Sequence, residues 1–222
     1  MKSLRLNKKG VIIIFLLILL LNLIKINIYD SGEKGVWSSK SPMPTPRHSL
    51  AVATLNNEIY ALGGSNKQLG TMNVVEIYDP ETDSWSKGKE MPTAKARVVG
   101  VTLDNKIYVM GGYNRTILNT VEIYDPETDS WSKGKEMPTT RRNFGITVLN
   151  NKIYTVGGFD SAIVELYDPK IDSWSKTSLL NYPRYELGVI TLNNKIYAMG
   201  GINPVIINHY SMIYDILEEY RI

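Results

Sequence analysis

The sequence predicts an all-β protein, a β-propeller of about four blades that each hold four antiparallel strands. Tryptophan occurs at four positions only, Gly-Gly occurs at four positions only, and each glycine pair follows a tryptophan by 26 residues. The period of this pattern is 48, 46 and then 43 residues. Four short strands in a repeated unit of roughly 45 residues are typical of a propeller blade. The motif residues are Trp37, Trp85, Trp131 and Trp174, and Gly63, Gly64, Gly111, Gly112, Gly157, Gly158, Gly200 and Gly201.

Each unit contains the signals of four strands in order. The first strand, exemplified by His48–Leu55, ends at a two-residue Asn-Asn or Asp-Asn turn, because Asn tolerates positive φ. The second strand has the sequence Ile-Tyr-x-x and is apolar on both faces, as expected of a buried strand. The third strand is predicted at Val74–Tyr78 and its equivalents, and an Asp-Pro turn then leads to the strand that carries the tryptophan. The turns are Asn56-Asn57, Asp104-Asn105, Asn150-Asn151 and Asn193-Asn194.

The repeats divide residues 36–222 into units at about 36–83, 84–129, 130–172 and 173–222, after a linker at 29–35. The last unit ends early: Tyr214-Asp215 is predicted to end its third strand, but no tryptophan follows at the usual distance. Trp37 precedes any first strand of its own, so its strand is predicted to complete the last blade. Three alternatives remain open at this point, namely a small closed ring, an incomplete ring that pairs with another copy, and a truncated descendant of a longer gene.

Residues 1–28 are predicted to be an export segment with an apolar helix. Four cations precede an uninterrupted apolar stretch that begins at Val11, which is what membrane-targeting machinery recognises. An uncleaved anchor formed by residues 11–28 is favoured over a cleaved signal peptide, because no alanine precedes Ala51 to mark a cleavage site. The basic flank predicts that the propeller lies on the extracytoplasmic side of the membrane, or is secreted if the segment is cleaved.

Composition excludes several classes of function. The chain has no cysteine, which excludes disulfides, thiol catalysis and cysteine-bound metal. Residues 1–25 hold five cations and no acid, and the remaining residues hold 20 Lys and Arg against 22 Asp and Glu, a balance that does not favour nucleic-acid binding. No metal or cofactor is expected, since the Asp79-x-Glu81-x-Asp83 turn lacks the glycine and the closing glutamate of a calcium loop.

The glycine pairs, the Tyr-Asp-Pro sequences and the evenly spaced tryptophans resemble the kelch repeat family over about Val36–Asp215. The resemblance implies a ring of blades around a central channel, with glycines near the axis and the Tyr and Trp side chains between blades. Kelch rings commonly have five to seven blades, so a four-bladed ring departs from the family.

Two sets of residues are candidate ligand contacts. The loops after Gly-Gly differ in length between units and present Ser65, Asn66, Tyr113, Arg115, Phe159 and Asp160. A cation also recurs sixteen residues before every glycine pair, as Arg47, Lys95, Arg141 and Arg184. Kelch proteins that bind acidic peptides use arginines of this segment, so the resemblance implies a positive collar. The alternative is structural: a cation present in every blade could pair with Glu76, Glu122 or Glu165 of the third strand.

The leading hypothesis is a non-catalytic binding module for a protein or a glycan, displayed at the cell surface. The enzymatic alternative is a sugar-processing propeller of the sialic-acid mutarotase type, which would use an Arg, Glu or His at the channel mouth, with Arg47, His48, Arg142 and Glu186 near enough in register. Self-association through an open blade edge is the third possibility.

Overall fold

A computed structural model describes residues 35–207, 210–213 and 216–221 of the chain, and gives the backbone alone for 204–207 and 210–213. Two compact units are distinguished, Met1–Lys40 and Ser41–Ile222. In the first unit, the described residues 35–40 form no strand. The predicted helix at 1–28 and most of the linker lie outside the described residues. No helix in the described ranges is long and apolar enough to cross a membrane.

The second unit holds the predicted propeller of four blades. Blade 1 consists of β1 Ala51–Leu55, β2 Glu58–Leu62, the small hairpin β3 Ser65–Asn66 and β4 Gly70–Thr71, β5 Val75–Asp79 and β6 Ser84–Lys87. Blade 2 consists of β7 Val99–Leu103, β8 Lys106–Met110, the hairpin β9 Tyr113–Asn114 and β10 Thr116–Ile117, β11 Val121–Asp125 and β12 Ser130–Gly134. Blade 3 consists of β13 Gly145–Leu149, β14 Lys152–Val156, β15 Val164–Asp168 and β16 Ser173–Lys176. Blade 4 has β17 Gly188–Leu192, β18 Lys195–Met199, the hairpin β19 Ile202–Ile207 and β20 Tyr210–Ile213, and β21 Leu217–Arg221.

Local sequence chemistry produces the first hairpin and the glycine pair of each blade as predicted. Both residues of every Asn-Asn or Asp-Asn turn have positive φ, between 48° and 64°. The first and second strands pair across each of these turns, as Leu55 pairs with Glu58 in blade 1. Gly64 has a φ of 97°, and a Cβ there would lie 2.9 Å from the His48 carbonyl oxygen, so only glycine fits at this position. The glycine pair therefore serves the close backbone approach that the sequence predicts.

The tryptophans of the first three blades fasten the outer strands. Trp85 lies opposite Tyr78 in the β5–β6 register, with ring centroids 5.1 Å apart. Its indole N–H donates a 2.8 Å hydrogen bond to the carbonyl of Ser41, in the segment that enters the blade. Trp131 and Trp174 repeat this bond with the carbonyls of Lys89 and Lys135. Each tryptophan thus links the last strand of a blade to the chain that enters it.

Blade 4 corrects two predictions made from the sequence. Tyr220 lies opposite Ile196, as Tyr78 lies opposite Ile59, so β21 is the third strand. Tyr214-Asp215, the predicted end of that strand, lies outside the described residues, and the β19–β20 hairpin moves the third strand further along the chain. Trp37 is wholly exposed and lies in a segment without strand structure, so the predicted strand that completes blade 4 is wrong. Blade 4 has three strands in its sheet among the described residues.

Candidate functional site

The recurring cations lie inside the blades. Lys95, Arg141 and Arg184 are fully buried as whole residues, and the side chain of Arg47 is buried as well. Each forms an ion pair with a glutamate of its own blade's third strand. The pairs are Arg47 with Glu76, Lys95 with Glu122 at 2.9 Å, Arg141 with Glu165 at 2.9 Å and Arg184 with Glu218 at 3.1 Å.

The expectation of a positive collar open to a ligand is therefore wrong, and the structural alternative is confirmed for the three glutamates that it names. Glu218 is the fourth partner, and it could not be identified while the third strand of blade 4 was placed at Tyr214. Burial lowers the pKa values of Lys95 and Arg141, because the interior disfavours the charged form, and the paired glutamate opposes this shift. These side chains hold second and third strands together and are shielded from solvent.

Two residues after each buried cation, the chain turns at an exposed or half-buried position with positive φ. These four positions are Ser49, Arg97, Asn143 and Glu186, with φ between 53° and 57°. Backbone hydrogen bonds connect them from blade to blade: Arg97 N–H donates to the Ser49 carbonyl, Asn143 to Arg97, and Glu186 to Asn143, at 2.8, 3.2 and 2.8 Å. We call this set the inner rim. It lies where the first strands of neighbouring blades converge.

The loops after Gly-Gly lie beside the inner rim. Ser65 pairs with His48 and Tyr113 pairs with Ala96 through isolated antiparallel bridges. Phe159 N–H donates to the carbonyl of Arg142 at 3.2 Å. The predicted contacts Ser65, Tyr113 and Phe159 are thus held against the residue that follows a buried cation, which places them next to the rim.

A cavity of about 280 Å³ opens at the rim, and we call it the inner-rim pocket. It is lined by Ser49, Arg97, Arg142, Asn143, Phe159, Tyr185 and Glu186. The Arg142 guanidinium carbon lies 4.3 Å from the centre of the Phe159 ring and 5.3 Å from that of Tyr113, and Arg97 lies 5.9 Å from Tyr113. The Asn143 amide donates to Glu186 at 2.6 Å. The pocket therefore combines two arginines, one carboxylate, one amide and aromatic rings.

The arginines of the pocket differ from the buried ones in their bonding. Among the described residues, no carboxylate pairs with Arg97 or Arg142, and neither side chain donates a hydrogen bond. Arg141, by contrast, donates to Glu165 and to two backbone carbonyls. The guanidinium N–H groups of Arg97 and Arg142 are available to an acceptor from outside the chain, and Arg142 lies over two aromatic rings.

The remaining predicted residues lie outside the pocket. Asn66 donates to the carbonyl of Pro46 and shapes the β3–β4 hairpin. Arg115 and Asp160 are exposed at loop positions with positive φ, of 60° and 58°. Sequence reasoning named Arg142, Glu186, Tyr113 and Phe159 but missed Arg97, Asn143 and Tyr185. A signal for two of these existed, since Arg97 and Asn143 follow the recurring cation by two residues.

Together, the repeated four-stranded sheets and the rim define a β-propeller repeat protein. Residues 34–201 match the family described as the KLHDC2/KLHL20/DRC7 Kelch-repeats domain, so the chain belongs to the kelch repeat family. The human protein Kelch-like protein 30 is 44% identical over 54 residues, which are 23% of this chain and 8% of that protein.

A solved structure of the protein YjhT resembles the fold with a TM-score of 0.71 at 20% sequence identity. The likeness covers 78% of this chain and 65% of that one. This chain thus spans a small part of the curated relative and just under two thirds of the structural one.

Proposed function

We propose that this chain is an exported, membrane-anchored, non-catalytic binding module whose inner-rim pocket takes a protein or glycan ligand. Kelch domains generally bind proteins, and the family membership makes such binding the first expectation. The observation that carries the proposal is the pair of arginines, Arg97 and Arg142, that no described carboxylate neutralises. The recurring cations of the blades are all paired with glutamates, so Arg97 and Arg142 differ from them in being open to an external partner.

The chemistry of the pocket suits an acidic ligand group. A planar guanidinium binds a carboxylate through two parallel N–H bonds, and the ring contacts of Arg142 restrict its motion before a ligand arrives. Tyr185 and Phe159 lie 5.4 Å apart and give an apolar wall for a peptide side chain or a sugar face. Glu186 is the single carboxylate among the lining residues, and it would repel a ligand with dense negative charge.

The test compares arginines inside and outside the pocket. Full-length protein in mild detergent is probed on arrays of acidic and neutral peptides and of sialylated and neutral glycans. Arg142→Ala and Phe159→Ala are expected to lower binding of any probe that the wild type retains by ten-fold or more. Arg115→Ala, at an exposed loop position away from the pocket, is the matched control and should bind as the wild type does. Equal losses for Arg115→Ala and Arg142→Ala would contradict the assignment of the pocket.

A sugar-processing activity of the sialic-acid mutarotase type is the second candidate, because Arg142 and Glu186 line one pocket. An acid or base and a cation that orients a carboxylated sugar are the groups that anomer exchange would need. The test is NMR exchange spectroscopy of N-acetylneuraminic acid with a catalytic amount of protein. Exchange above the spontaneous rate that Glu186→Gln removes would favour the enzyme over the binding module, and an unchanged rate would contradict it.

Export and anchoring rest on the sequence of residues 1–28, and they are tested separately from binding. The full chain should stay with the membrane fraction after an alkaline wash, and protease added from the extracytoplasmic side should digest the propeller. A chain that lacks residues 2–28 should be released into the soluble fraction. Protection of the propeller from external protease would contradict the proposed orientation.

A further inference from the structure

The three junctions between consecutive blades repeat the same contacts. A tyrosine of the second strand contacts a tyrosine of the next blade's third strand, at centroid distances of 5.8, 6.2 and 6.0 Å. These pairs are Tyr60 with Tyr124, Tyr108 with Tyr167, and Tyr154 with Tyr220. Each blade therefore has a receiving face, which contacts the next blade, and an opposite face, which contacts the blade before it.

The first strands and the glycine pairs add polar contacts to these junctions. Thr102 Oγ1 donates to the Thr54 carbonyl, and Thr191 Oγ1 donates to the Val148 carbonyl, both at 2.7 Å. The second glycine of each of the first three pairs donates its N–H to the carbonyl of the next blade's buried cation, as Gly64 does to Lys95 at 2.9 Å. The glycine bonds thus run from each blade to the next, whereas the inner-rim hydrogen bonds, like the threonine bonds, run from each blade to the one before it.

Blade 4 leaves its receiving face open. Ile190, Leu192 and Leu217 are each more than half exposed, and Met199 is 43% exposed. The equivalent residues of blades 1 to 3 are buried or half-buried. Leu55, Leu103 and Leu149, the counterparts of Leu192, are less than a tenth exposed. We call Ile190, Leu192, Met199 and Leu217 the end face.

Blade 1 leaves the complementary face open. Val52 is 56% exposed and Thr54 is exposed, whereas their counterparts in blades 2 to 4 contact the preceding blade or are half-buried. We call Val52 and Thr54 the start face. Since both faces are exposed within one chain, blade 4 does not cover blade 1 of the same chain.

We propose that the end face of one copy docks onto the start face of a second copy and reproduces the junction found three times within the chain. The halves of two recurring polar contacts are present. The Thr54 hydroxyl of the second copy would donate to the Thr191 carbonyl, as Thr102 and Thr191 donate within the chain. At the rim, Ser49 N–H of the second copy would donate to the Glu186 carbonyl, which continues the series of three bonds.

The shapes of the two faces also fit. At the junction between blades 3 and 4, a Cβ at Gly145 would lie 2.1 Å from a methyl carbon of Val189, so the valine fills the space that the glycine leaves. Gly188 occupies the position of Gly145 on the end face, and no side chain fills the space beside it. Val52 occupies the position of Val189 on the start face. The same valine-on-glycine packing is therefore available between copies.

This contact is heterologous, because two different faces meet. Such an interface closes into a ring when the rotations allow it and continues into a longer assembly when they do not. In either case, each end face contacts a start face and never another end face. This property separates the proposal from a symmetric contact of two end faces, and from a cover formed by residues 1–34 of the same chain.

The test is the solution mass of the full-length chain in mild detergent, measured by light scattering from about 1 to 100 µM. The wild type should form a dimer or a larger assembly, and Leu192→Lys on the end face or Val52→Lys on the start face should each weaken association by at least about 100-fold. Ile171→Lys, which charges an exposed apolar residue of a turn in blade 3, is the matched control and should associate as the wild type does. Met199→Lys replaces Leu192→Lys if that variant does not fold.

Mixing the two variants gives the decisive measurement. Leu192→Lys keeps an intact start face and Val52→Lys keeps an intact end face, so a one-to-one mixture should form a dimer that neither variant forms alone. A monomeric wild type overturns the proposal, as does association that neither variant weakens, which would place the contact elsewhere. Association lost in Leu192→Lys but kept in Val52→Lys also overturns it, because that result belongs to two end faces in contact.

Discussion

Replacing Glu165 by glutamine is expected to destabilise the propeller strongly. The side chains of Glu165 and Arg141 are fully buried, and two guanidinium nitrogens donate to one carboxylate oxygen at 2.9 and 3.3 Å. Thr139 donates to the other oxygen at 2.8 Å. Glutamine keeps the shape but leaves the Arg141 charge buried without an opposite charge, and breaking a buried pair in this way costs about 3–5 kcal/mol.

This free energy corresponds to a large change in melting temperature. For a chain of 150–250 residues, 1 kcal/mol lowers Tm by about 2–4 °C, so Glu165→Gln should lower Tm by about 6–20 °C. Far-UV circular dichroism on heating measures the transition, and urea titration gives the free energy of unfolding. The unfolding slope in urea should match that of the wild type if the native fold is kept.

The same blade supplies the matched control. Lys152 of β14 and Asp168 of β15 form a 3.2 Å ion pair, but both side chains are partly exposed. Asp168→Asn should therefore lower Tm much less than Glu165→Gln does. If Glu165→Gln costs no more than Asp168→Asn, the buried pair does not hold the blade together and the structural role of the recurring cations is refuted. The double variant with methionine at both buried positions should recover much of the loss, because it leaves no unpaired charge.

Three further predictions concern the tryptophans, the pH dependence and the blade junctions. Trp85→Ala should lower the free energy of unfolding by about 2–3 kcal/mol, less than the loss of a fully buried aromatic residue. Trp37→Ala should leave Tm unchanged, because the Trp37 side chain is wholly exposed. A large fall in Tm for Trp37→Ala would instead support the strand that the sequence predicts. Burial raises the pKa of Tyr60 from 10.0 to about 12. The stability that the neutral Tyr60 side chain contributes is therefore complete below pH 10 and is lost as the pH rises through 12. Over this range, the Tm of Tyr60→Phe should fall less steeply than that of the wild type. Gly145→Ala should lower Tm, because the added methyl group would collide with Val189. The double variant Gly145→Ala with Val189→Ala should recover part of this loss. If it recovers none, the collision with Val189 is not the cause of the lower Tm.

Sequence reasoning predicted the blades because their signals are local. A two-residue turn needs positive φ, and Asn56-Asn57 supplies it without any help from distant residues. The tryptophan spacing follows from the register in which Trp85 lies opposite Tyr78. Features of this kind recur in every repeat, so each repeat supports the interpretation of the others.

The role of the cations could not be settled in the same way. Arg47 and Glu76 are 29 residues apart, and whether the cation faces the third strand or the solvent depends on how the blade folds back on itself. Recurrence alone fits both a ligand collar and a structural pair. The inner rim was not recognised as a set for a related reason: Ser49, Arg97, Asn143 and Glu186 share a backbone conformation but no side-chain chemistry, so only their distance from the recurring cation marks them.

The ends of the propeller were the least predictable part because blade junctions are contacts between nearest neighbours. Every blade has a receiving face for the next blade and an opposite face for the preceding blade. The sequence of a blade therefore does not show whether either neighbour is present. Terminal repeats that stand alone in water generally need a polar outer face. Blade 4 instead keeps Ile190, Leu192 and Leu217 exposed at the positions that an inner blade would bury. A blade with the sequence of an inner one has a face shaped for a neighbour, and blade 1 of a second copy has the face that fits.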